Sequence, residues 1–362
     1  MTVKVRSFAK INLGLCVGAP RPDGFHELRT VYQTIALHDI IGVQVGRGTG
    51  IEIRCDDERV PKDQTNTCYR IAECAMHALG ASGRVTITID KRLPVQGGLG
   101  AGSGNAVATL LAIERALKKE LPGAKKLRIA AEVGSDLPLF LVGGTVLGVG
   151  RGEEVYPLPD LPAFCCVVAT PEIGVSTPKA FADWDAMLGG AGETAELRSA
   201  RTGPVDSAQG RRRPVPIPSI SRHLRKDSKL TASPPSDRML EFGRAVSAWL
   251  IGQPLSGVPV SKSRGRAETS LLDLVRTGIE NDFEQVVFPK YPELREVKSV
   301  LERAGAFYAS LSGSGSAVYG LFRSRAAGQK AAARLQRDGV PAAVTTTLTR
   351  RQYWKKFPVS GF

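Results

Sequence analysis

Hydrophobic and polar positions along the chain predict a mixture of short strands and amphipathic helices. Residues 85–89 (Val-Thr-Ile-Thr-Ile) alternate between apolar and polar side chains, which is the period of a half-buried strand. Apolar residues in 66–79 recur instead at helical spacing. Strands and helices are mixed without strict alternation, and this favours an α+β fold over a doubly wound sheet. The same patterns predict further strands at 4–8, 30–37, 42–45, 50–54, 144–148, 163–169, 308–312, 317–321 and 342–349, and further helices at 103–119, 127–133, 239–251, 270–277, 293–304 and 325–337.

The length and composition of the chain exclude several classes of protein. Its 362 residues suffice for one large domain or two ordinary ones. No apolar run approaches the roughly 18–20 residues of a membrane span, and the N-terminal residues lack the apolar core of a signal peptide. The six cysteines include no Cys-x-x-Cys pair and no Cys/His cluster at zinc-ligand spacing. We therefore expect a cytoplasmic protein without a membrane segment or a disulfide framework.

Half of the net charge of +14 lies in one segment of the chain. Residues 198–230 contain nine basic and two acidic residues, and 185–241 contain no aromatic residue. Such a stretch cannot bury enough apolar surface to offset the entropy of ordering it, so we predict a flexible insertion at 187–238. A tolerated surface loop is the favoured interpretation. An arm that binds nucleic acid or a membrane surface is the alternative, and the lack of aromatic residues counts against nucleic acid.

A glycine-rich loop joins the strand at 85–89 to the next helix. Five of the twelve residues from Pro94 to Asn105 are glycine, and glycines let backbone N–H groups surround a phosphate. The first turn of the following helix also favours an anion. The loop lacks the lysine of a Walker A motif, and Ser103 stands where a dinucleotide-binding fingerprint requires its third glycine. The sequence therefore predicts a phosphate-binding loop of another kind.

Two charged residues lie in apolar surroundings and are candidates for catalysis. Asp136 precedes the apolar run Leu-Pro-Leu-Phe-Leu, and Lys10 lies within Phe-Ala-Lys-Ile-Asn-Leu. Either residue alone is more often a salt-bridged structural residue than a catalyst. Phosphoryl transfer, however, needs a base for the acceptor hydroxyl and a cation that stabilises oxygen charge. Beside a phosphate loop, Asp136 fits the first role and Lys10 the second.

Three motifs resemble those of the superfamily of galactokinase, homoserine kinase, mevalonate kinase and phosphomevalonate kinase. They are the glycine loop, the Gly-Ser-Asp-Leu-Pro sequence at 134–138 and the Leu-Ser-Gly-Ser-Gly-Ser-Ala sequence at 311–317. The resemblance covers roughly 1–184 and 262–322. Four other stretches make it closest to the branch that phosphorylates a cytidine-diphosphate-linked methylerythritol. They are Ala-Lys-Ile-Asn-Leu-Gly-Leu at 9–15, Arg-Pro-Asp-Gly-Phe-His-Glu-Leu at 21–28, Gly-Gly-Thr-Val-Leu-Gly-Val-Gly-Arg-Gly-Glu at 143–153 and Asn-Asp-Phe-Glu at 281–284.

The resemblance implies a two-domain α+β small-molecule kinase. An N-terminal ATP-binding domain would span 1–155, a C-terminal domain would span 156–362, and the active site would lie in the cleft between them. The enzyme would use ATP and Mg²⁺ to phosphorylate the 2-hydroxyl of the cytidine-diphosphate-linked methylerythritol, a step of the non-mevalonate route to isopentenyl diphosphate. Phosphorylation of another small alcohol stays an open alternative, and no oligomeric state is predicted.

The resemblance also implies a role for individual residues. Lys10 and Asp136 would be catalytic, and Ser103 would help to hold the metal. Cytosine would stack between Phe25 and Phe181 while His26 contacts its edge. The ATP-binding residues would be Pro94, Val95, Gln96, Gly97, Gly98, Leu99, Gly100, Ala101, Gly102, Ser103, Gly104, Asn105 and Asn66, and the substrate-binding residues would be Asn12, Phe25, His26, Thr177, Phe181, Gly313 and Gly315.

The chain departs from the superfamily pattern at four of these positions. Gln96 and Ala101 replace glycines, and the methyl group of Ala101 would crowd the phosphates if that residue needed a positive φ. Gly104 replaces a serine, which leaves Ser103 to contact magnesium. Phe25 replaces a tyrosine and so keeps the stacking face without the hydroxyl. None of these changes removes a predicted catalytic group.

Overall fold

The computed structural model describes residues 2–95, 97–199, 235–251 and 280–359. Within these residues, ten strands form two sheets, and ten helices pack against them. The strands are β1 (Val3–Pro20), β2 (His26–Gly46), β3 (Ile51–Cys55), β4 (Arg84–Asp90), β5 (Thr145–Val149), β6 (Glu154–Pro157), β7 (Cys165–Ala169), β8 (Tyr308–Leu311), β9 (Val318–Phe322) and β10 (Ala342–Thr346). The helices are α1 (Thr67–Ala78), α2 (Ala101–Leu117), α3 (Gly123–Val133), α4 (Leu137–Val142), α5 (Thr177–Ser199), α6 (Pro235–Ile251), α7 (Glu284–Lys290), α8 (Pro292–Arg303), α9 (Arg325–Arg337) and α10 (Arg350–Lys356).

The first sheet is built around two long antiparallel strands, β1 and β2. One half of β2 pairs with β4 and the other half with β5, which gives the order β3-β4-β2-β5-β6 with β1 along the remaining edge of β2. The pair β3–β4 is parallel and the other pairs are antiparallel. Residues 7–18 of β1 are all buried, although polar or glycine residues still alternate with apolar ones at 10–15 of the sequence. The prediction of 4–8 therefore covered only the first part of this strand.

The second sheet has the order β10-β7-β9-β8 and is antiparallel throughout. One apolar cluster lies between the first sheet and α1 to α4, and a second lies between the second sheet and α7 to α9. A third joins the two sheets through residues such as Ile11, Val168 and Tyr319. The strand that carries Lys10 therefore passes between the sheets. The domain boundary expected at 155/156 stays a prediction.

Several elements differ from the sequence-based expectations. The strands expected at 30–37 and 42–45 are one continuous strand, β2, and α2 begins at Ala101 rather than at 103. The patterns did not predict α4, α5, α7 or α10 as helices. The capping box of Thr349 and Gln352 marks the start of α10, whereas Pro289 obscures the short α7. The helix expected at 270–277 lies outside the described residues.

The expected insertion at 187–238 overlaps two helices. Helix α5 continues through 187–199, and α6 begins at Pro235. Residues 200–234, which hold most of the basic segment, lie outside the described part of the chain. Among the described helices, none is long and apolar enough to cross a membrane.

Candidate active site

Two cavities adjoin the glycine loop and share Gly98, Gly100 and Ser103 in their walls. The larger cavity, of about 750 Å³, contains both charged residues predicted for catalysis. The smaller cavity, of about 370 Å³, is lined by all described residues of the predicted ATP-binding set except Gly104. Gln96 lies outside the described residues. Six of the seven residues predicted to bind substrate line the larger cavity, namely Asn12, Phe25, His26, Thr177, Phe181 and Gly313.

Lys10 and Asp136 form an ion pair in the larger cavity. Lys10 Nζ lies 3.3 Å from Asp136 Oδ2 and donates a hydrogen bond of 2.8 Å to Asn12 Oδ1. Asn12 Nδ2 in turn donates to Thr30 Oγ1, which fixes the amide. The Lys10 side chain is only 4% exposed, whereas that of Asp136 is 35% exposed. The carboxylate can therefore meet a ligand while the buried ammonium holds it in place.

Tyr32 is a third member of this group and was not predicted from the sequence. Its hydroxyl donates a hydrogen bond of 3.0 Å to Asp136 Oδ1, and Lys10 Nζ lies 5.4 Å from the centre of its ring. Burial and the adjacent Asp136 carboxylate raise the pKa of Tyr32 well above its ordinary value, so the hydroxyl stays protonated and acts as a donor. A tyrosine in an apolar strand is usually a core residue. No pattern in the sequence marked Tyr32, and only its pairing with Asn12 across β1 and β2 brings it to the site.

The glycine loop is held by close backbone contacts on two sides. Leu99 O accepts a hydrogen bond of 2.9 Å from Lys10 N, and Gly98 O accepts one of 2.9 Å from Ser312 Oγ. Gly98 has φ +74°, and a Cβ there would lie 1.9 Å from Ser312 O, so no other residue fits. The glycine loop therefore contacts the motif at 311–317 directly, and residues of all three motifs line the larger cavity.

Helix α2 begins directly at the loop. Gly100, its N-terminal cap residue, has φ +67° and provides no side-chain hydrogen bond to the first turn. The N–H groups of this turn of a 17-residue helix are therefore available to an anion in the adjoining cavities. Ser103 lies in the same turn and lines both cavities.

Two departures from the superfamily pattern have a structural explanation. Ala101 is not among the residues with positive φ and begins α2, so its methyl group causes no backbone strain there. Gly104 packs on β1, where a Cβ would lie 2.9 Å from Phe8 O and from Ser7 Oγ. A serine would therefore collide with β1 in this structure, and the position faces the strand rather than the cavities.

The two asparagines predicted to bind ATP also have structural hydrogen bonds. Asn66 caps α1, with its Oδ1 accepting from Cys68 N at 2.8 Å and its Nδ2 donating to Pro61 O at 2.6 Å. Asn105 Nδ2 donates to Asp39 Oδ2 at 2.9 Å, while its Oδ1 is buried without a partner in the described residues. Both side chains line the smaller cavity.

The predicted base-binding side of the larger cavity contains an imidazole–benzyl stack. The rings of His26 and Phe181 lie 4.8 Å apart at an angle of 20°. Asp185 Oδ1, one helical turn after Phe181 in α5, lies 2.7 Å from His26 Nε2. Phe25 is 49% exposed, and the Arg151 guanidinium lies 5.0 Å from the centre of its ring. Cytosine was expected to stack against Phe181, but one face of that ring is occupied by His26 in this structure.

Gly313 and Ser314, in the loop at 312–316, line another part of the larger cavity. Gly313 has φ +58° and packs on Gly98, and Ser314 Oγ is hydrogen-bonded to Thr177 Oγ1 at 2.8 Å. Gly315 was expected to contact substrate, but it does not line either cavity in the described residues. A Cβ at Gly315 would instead meet Leu311 Cδ1 at 2.9 Å, so this glycine allows the loop to pack on β8.

Comparisons with known proteins agree with this geometry. The family descriptions "GHMP kinases N terminal domain" and "GHMP kinases C terminal" match residues 66–144 and 267–341. A 4-diphosphocytidyl-2-C-methyl-D-erythritol kinase of Solibacter usitatus is 36% identical over 321 residues, which cover 89% of this chain and 81% of the relative. One of the same name from Acaryochloris marina is 31% identical and covers 91% and 89%.

Solved structures show the same fold. The crystal structure of a 4-(cytidine 5'-diphospho)-2C-methyl-D-erythritol kinase is 27% identical, covers 95% of this chain and 98% of its own, and has a TM-score of 0.62. A homoserine kinase from Cytophaga hutchinsonii, 19% identical with coverage of 96% and 95%, has a TM-score of 0.64 and shows the fold alone. The chain therefore belongs to the 4-diphosphocytidyl-2-C-methyl-D-erythritol kinase family within the GHMP kinases, which transfer a phosphoryl group from ATP to an alcohol.

Proposed function

We propose that this enzyme phosphorylates the 2-hydroxyl of 4-diphosphocytidyl-2-C-methyl-D-erythritol, a step of the non-mevalonate route to isopentenyl diphosphate. The names of its relatives support this substrate. The observation that carries the reaction is the ion pair of Lys10 and Asp136, which lies in the larger cavity beside the loop shared with the smaller one. An acceptor in the larger cavity and ATP in the smaller cavity would meet at this pair.

Asp136 is the base in the proposed reaction. Its partly exposed carboxylate takes the proton of the acceptor hydroxyl as the acceptor oxygen attacks the γ-phosphorus, and ADP leaves with the electrons of the broken P–O bond. The Tyr32 hydroxyl and the Lys10 ammonium hold one carboxylate oxygen each. The buried Lys10 also stabilises negative charge on the transferred group, because ion pairs are stronger away from water.

The residues of the site fit a Mg²⁺ ion that is bound mainly by nucleotide phosphates and water. No group of three or more His, Cys, Asp or Glu side chains suited to a metal exists in the described chain. Magnesium in phosphoryl-transfer sites commonly keeps several waters and takes few protein ligands. Ser103, in the walls of both cavities, is the protein residue we propose to contact it, and the ion would neutralise the phosphate charge.

The acceptor is proposed to extend from Asp136 to the aromatic residues of the larger cavity. A cytosine that stacks between Phe25 and Phe181 would take the place of the His26 imidazole, which would then contact the edge of the base. Arg151 lies over Phe25, and its neighbour Gly152 lies beside Asp136. The guanidinium of Arg151 is therefore placed to contact the diphosphate that joins the base to the polyol.

An assay of ADP production with four alcohols tests this proposal. We expect rapid turnover with 4-diphosphocytidyl-2-C-methyl-D-erythritol and none with homoserine, mevalonate or galactose. Calorimetry should show that CDP binds much more tightly than inorganic diphosphate, because the base contributes stacking energy. Preferred turnover of another alcohol, together with equal affinity for CDP and diphosphate, would establish the alternative substrate class. The cytoplasmic location and the flexible basic insertion stay predictions from the sequence.

A further inference from the structure

Asp39 is a buried carboxylate that the proposed reaction does not use. It lies in β2, and its side chain is fully buried. Its oxygens accept four hydrogen bonds of 2.7 to 2.9 Å, from Lys91 Nζ, Arg92 N, Leu93 N and Asn105 Nδ2. Four donors compensate for the burial of this charge, but desolvation of a carboxylate still costs free energy that an apolar side chain at the same position would not.

The donors lie at the two ends of the glycine loop. Pairing of β2 with β4 ends at Ile40 and Asp90, so the N–H groups of Arg92 and Leu93 are beyond the sheet. Asp39 accepts hydrogen bonds from both of them just before Pro94. Its bond from the Asn105 side chain lies directly after the loop. One carboxylate therefore ties together the chain that enters the loop and the helix that leaves it.

The same contacts hold two side chains whose residues line the smaller cavity. The Lys91 ammonium is 8% exposed and pairs with Asp39 at 2.8 Å, while its side chain lines the cavity. The bond from Asn105 Nδ2 to Asp39 fixes the amide of a residue that lines the same cavity, and Asn105 Oδ1 is buried without a partner among the described residues. Loss of the carboxylate would release the loop ends and both of these side chains at once.

We propose that Asp39 is a positioning residue for ATP, which clamps the phosphate loop and thereby sets affinity for the phosphoryl donor. The inference rests on the proposed role of residues 94–105 in binding ATP. Asp39 lines neither cavity, but its side-chain partners Lys91 and Asn105 line the smaller cavity and not the larger one, so its effect falls on the donor rather than the acceptor. Preorganised backbone N–H groups bind phosphate well only if they do not have to be ordered on binding.

The variant Asp39→Asn tests the clamp with little change of shape. It removes the charge and places an NH₂ group among four donors. We expect kcat/KM for ATP, and calorimetric affinity for the Mg²⁺ complex of an ATP analogue with a β,γ-imido bridge, to fall on the order of 10- to 100-fold. Affinity for CDP should stay within about twofold of the wild-type value. Amide exchange in the peptide 90–94 should accelerate, because Arg92 and Leu93 lose their acceptor.

Glu114→Gln is the matched control. Glu114 is also a buried carboxylate, 7% exposed, which accepts from Leu121 N at 2.7 Å and pairs with Lys126, but it lies at the far end of α2. The Glu114→Gln protein should have a lower free energy of unfolding than the wild type and an unchanged affinity for the ATP analogue. If Asp39→Asn does not fold, Asn105→Ala still removes one arm of the clamp, and faster exchange at 92–93 distinguishes release of the loop from loss of a direct ATP contact.

Two results would overturn the clamp. One is a folded Asp39→Asn protein that binds the ATP analogue as tightly as the wild type. The other is an equal loss of affinity for the analogue and for CDP, which would indicate a general structural role. Failure of the proposed function would look different from failure of the clamp. In that case the wild-type enzyme would bind the ATP analogue but would not phosphorylate the cytidine-linked substrate.

Discussion

Replacement of Gly98 by alanine tests whether the position of the glycine loop sets the rate of phosphoryl transfer. Gly98 has φ +74°, and a Cβ there would lie 1.9 Å from Ser312 O and 2.9 Å from Ser312 C. Both are backbone atoms, so no side chain can rotate away. Since real Cβ atoms essentially never approach closer than 3.0 Å, relief of the contact requires the loop to move by about 1 Å.

The expected effect follows from this displacement. A misplacement of about 1 Å in a catalytic site can cost roughly 100-fold in rate. We therefore expect kcat/KM for ATP to fall about 100-fold in Gly98→Ala, measured as initial ADP release at saturating acceptor. Affinity for CDP should be unchanged, because the atoms that the Cβ would meet belong to Ser312 and Gly315 and not to Phe25 or Phe181. Alanine in the left-handed region should also lower the free energy of unfolding by about 1–2 kcal/mol.

The variant Gly305→Ala is a control that has the backbone strain of alanine at positive φ without displacement of the glycine loop. Gly305 has φ +93°, but a Cβ there meets no atom within 4 Å, and the residue lies between α8 and β8, outside both cavities. This variant should lose similar stability and keep wild-type kcat/KM. The reasoning fails if Gly98→Ala keeps more than half of the wild-type kcat/KM, or if both variants lose activity equally.

Three further predictions follow from the site and from the thiols. Asp136→Asn should lower kcat by about 10²- to 10⁴-fold in the ADP-release assay while ATP-analogue affinity stays near wild type; full activity would exclude its role as base. Arg151→Gln should raise KM for the acceptor roughly tenfold and leave KM for ATP unchanged, and an unchanged acceptor KM would exclude contact with the diphosphate. Burial raises the pKa of Cys16 to about 12, so its thiolate is scarce at pH 8 and forms only as the pH rises toward that value. Iodoacetamide labelling of the native protein should therefore begin at the partly exposed Cys74 and Cys165. Rapid labelling of Cys16 in the folded state would contradict this.

The sequence predicted the components of the site better than their arrangement. Lys10, Asp136 and the glycine loop stood out because charge in an apolar segment and glycine before a helix are unusual and cost stability. The patterns could also place α2 after the loop. They could not show that Ser312 and Lys10 hold that loop from two sides, because these contacts join residues more than 80 positions apart.

Residues with ordinary local patterns escaped prediction. Tyr32 resembles a core residue of an apolar strand, and its contact with Asp136 depends on pairing between distant parts of the first sheet. Asp185 is the first residue of the segment without Phe, Trp or Tyr, and its approach to His26 depends on α5, a helix that the patterns did not indicate. Tertiary contacts decided all of these positions, and propensity carried no information about them.

Asp39 shows why a polar residue can mislead a pattern and still reveal function. His38 and Asp39 interrupt the apolar alternation of β2, which is why two strands were expected where one exists. A strand can continue through a buried carboxylate only if other parts of the fold supply donors, and here four donors come from the ends of the phosphate loop. The polar residue that interrupts the pattern is therefore there because of contacts with distant parts of the chain. The same carboxylate joins the strand, the loop and α2. A change at Asp39 should therefore reduce the affinity for ATP more than the affinity for the acceptor.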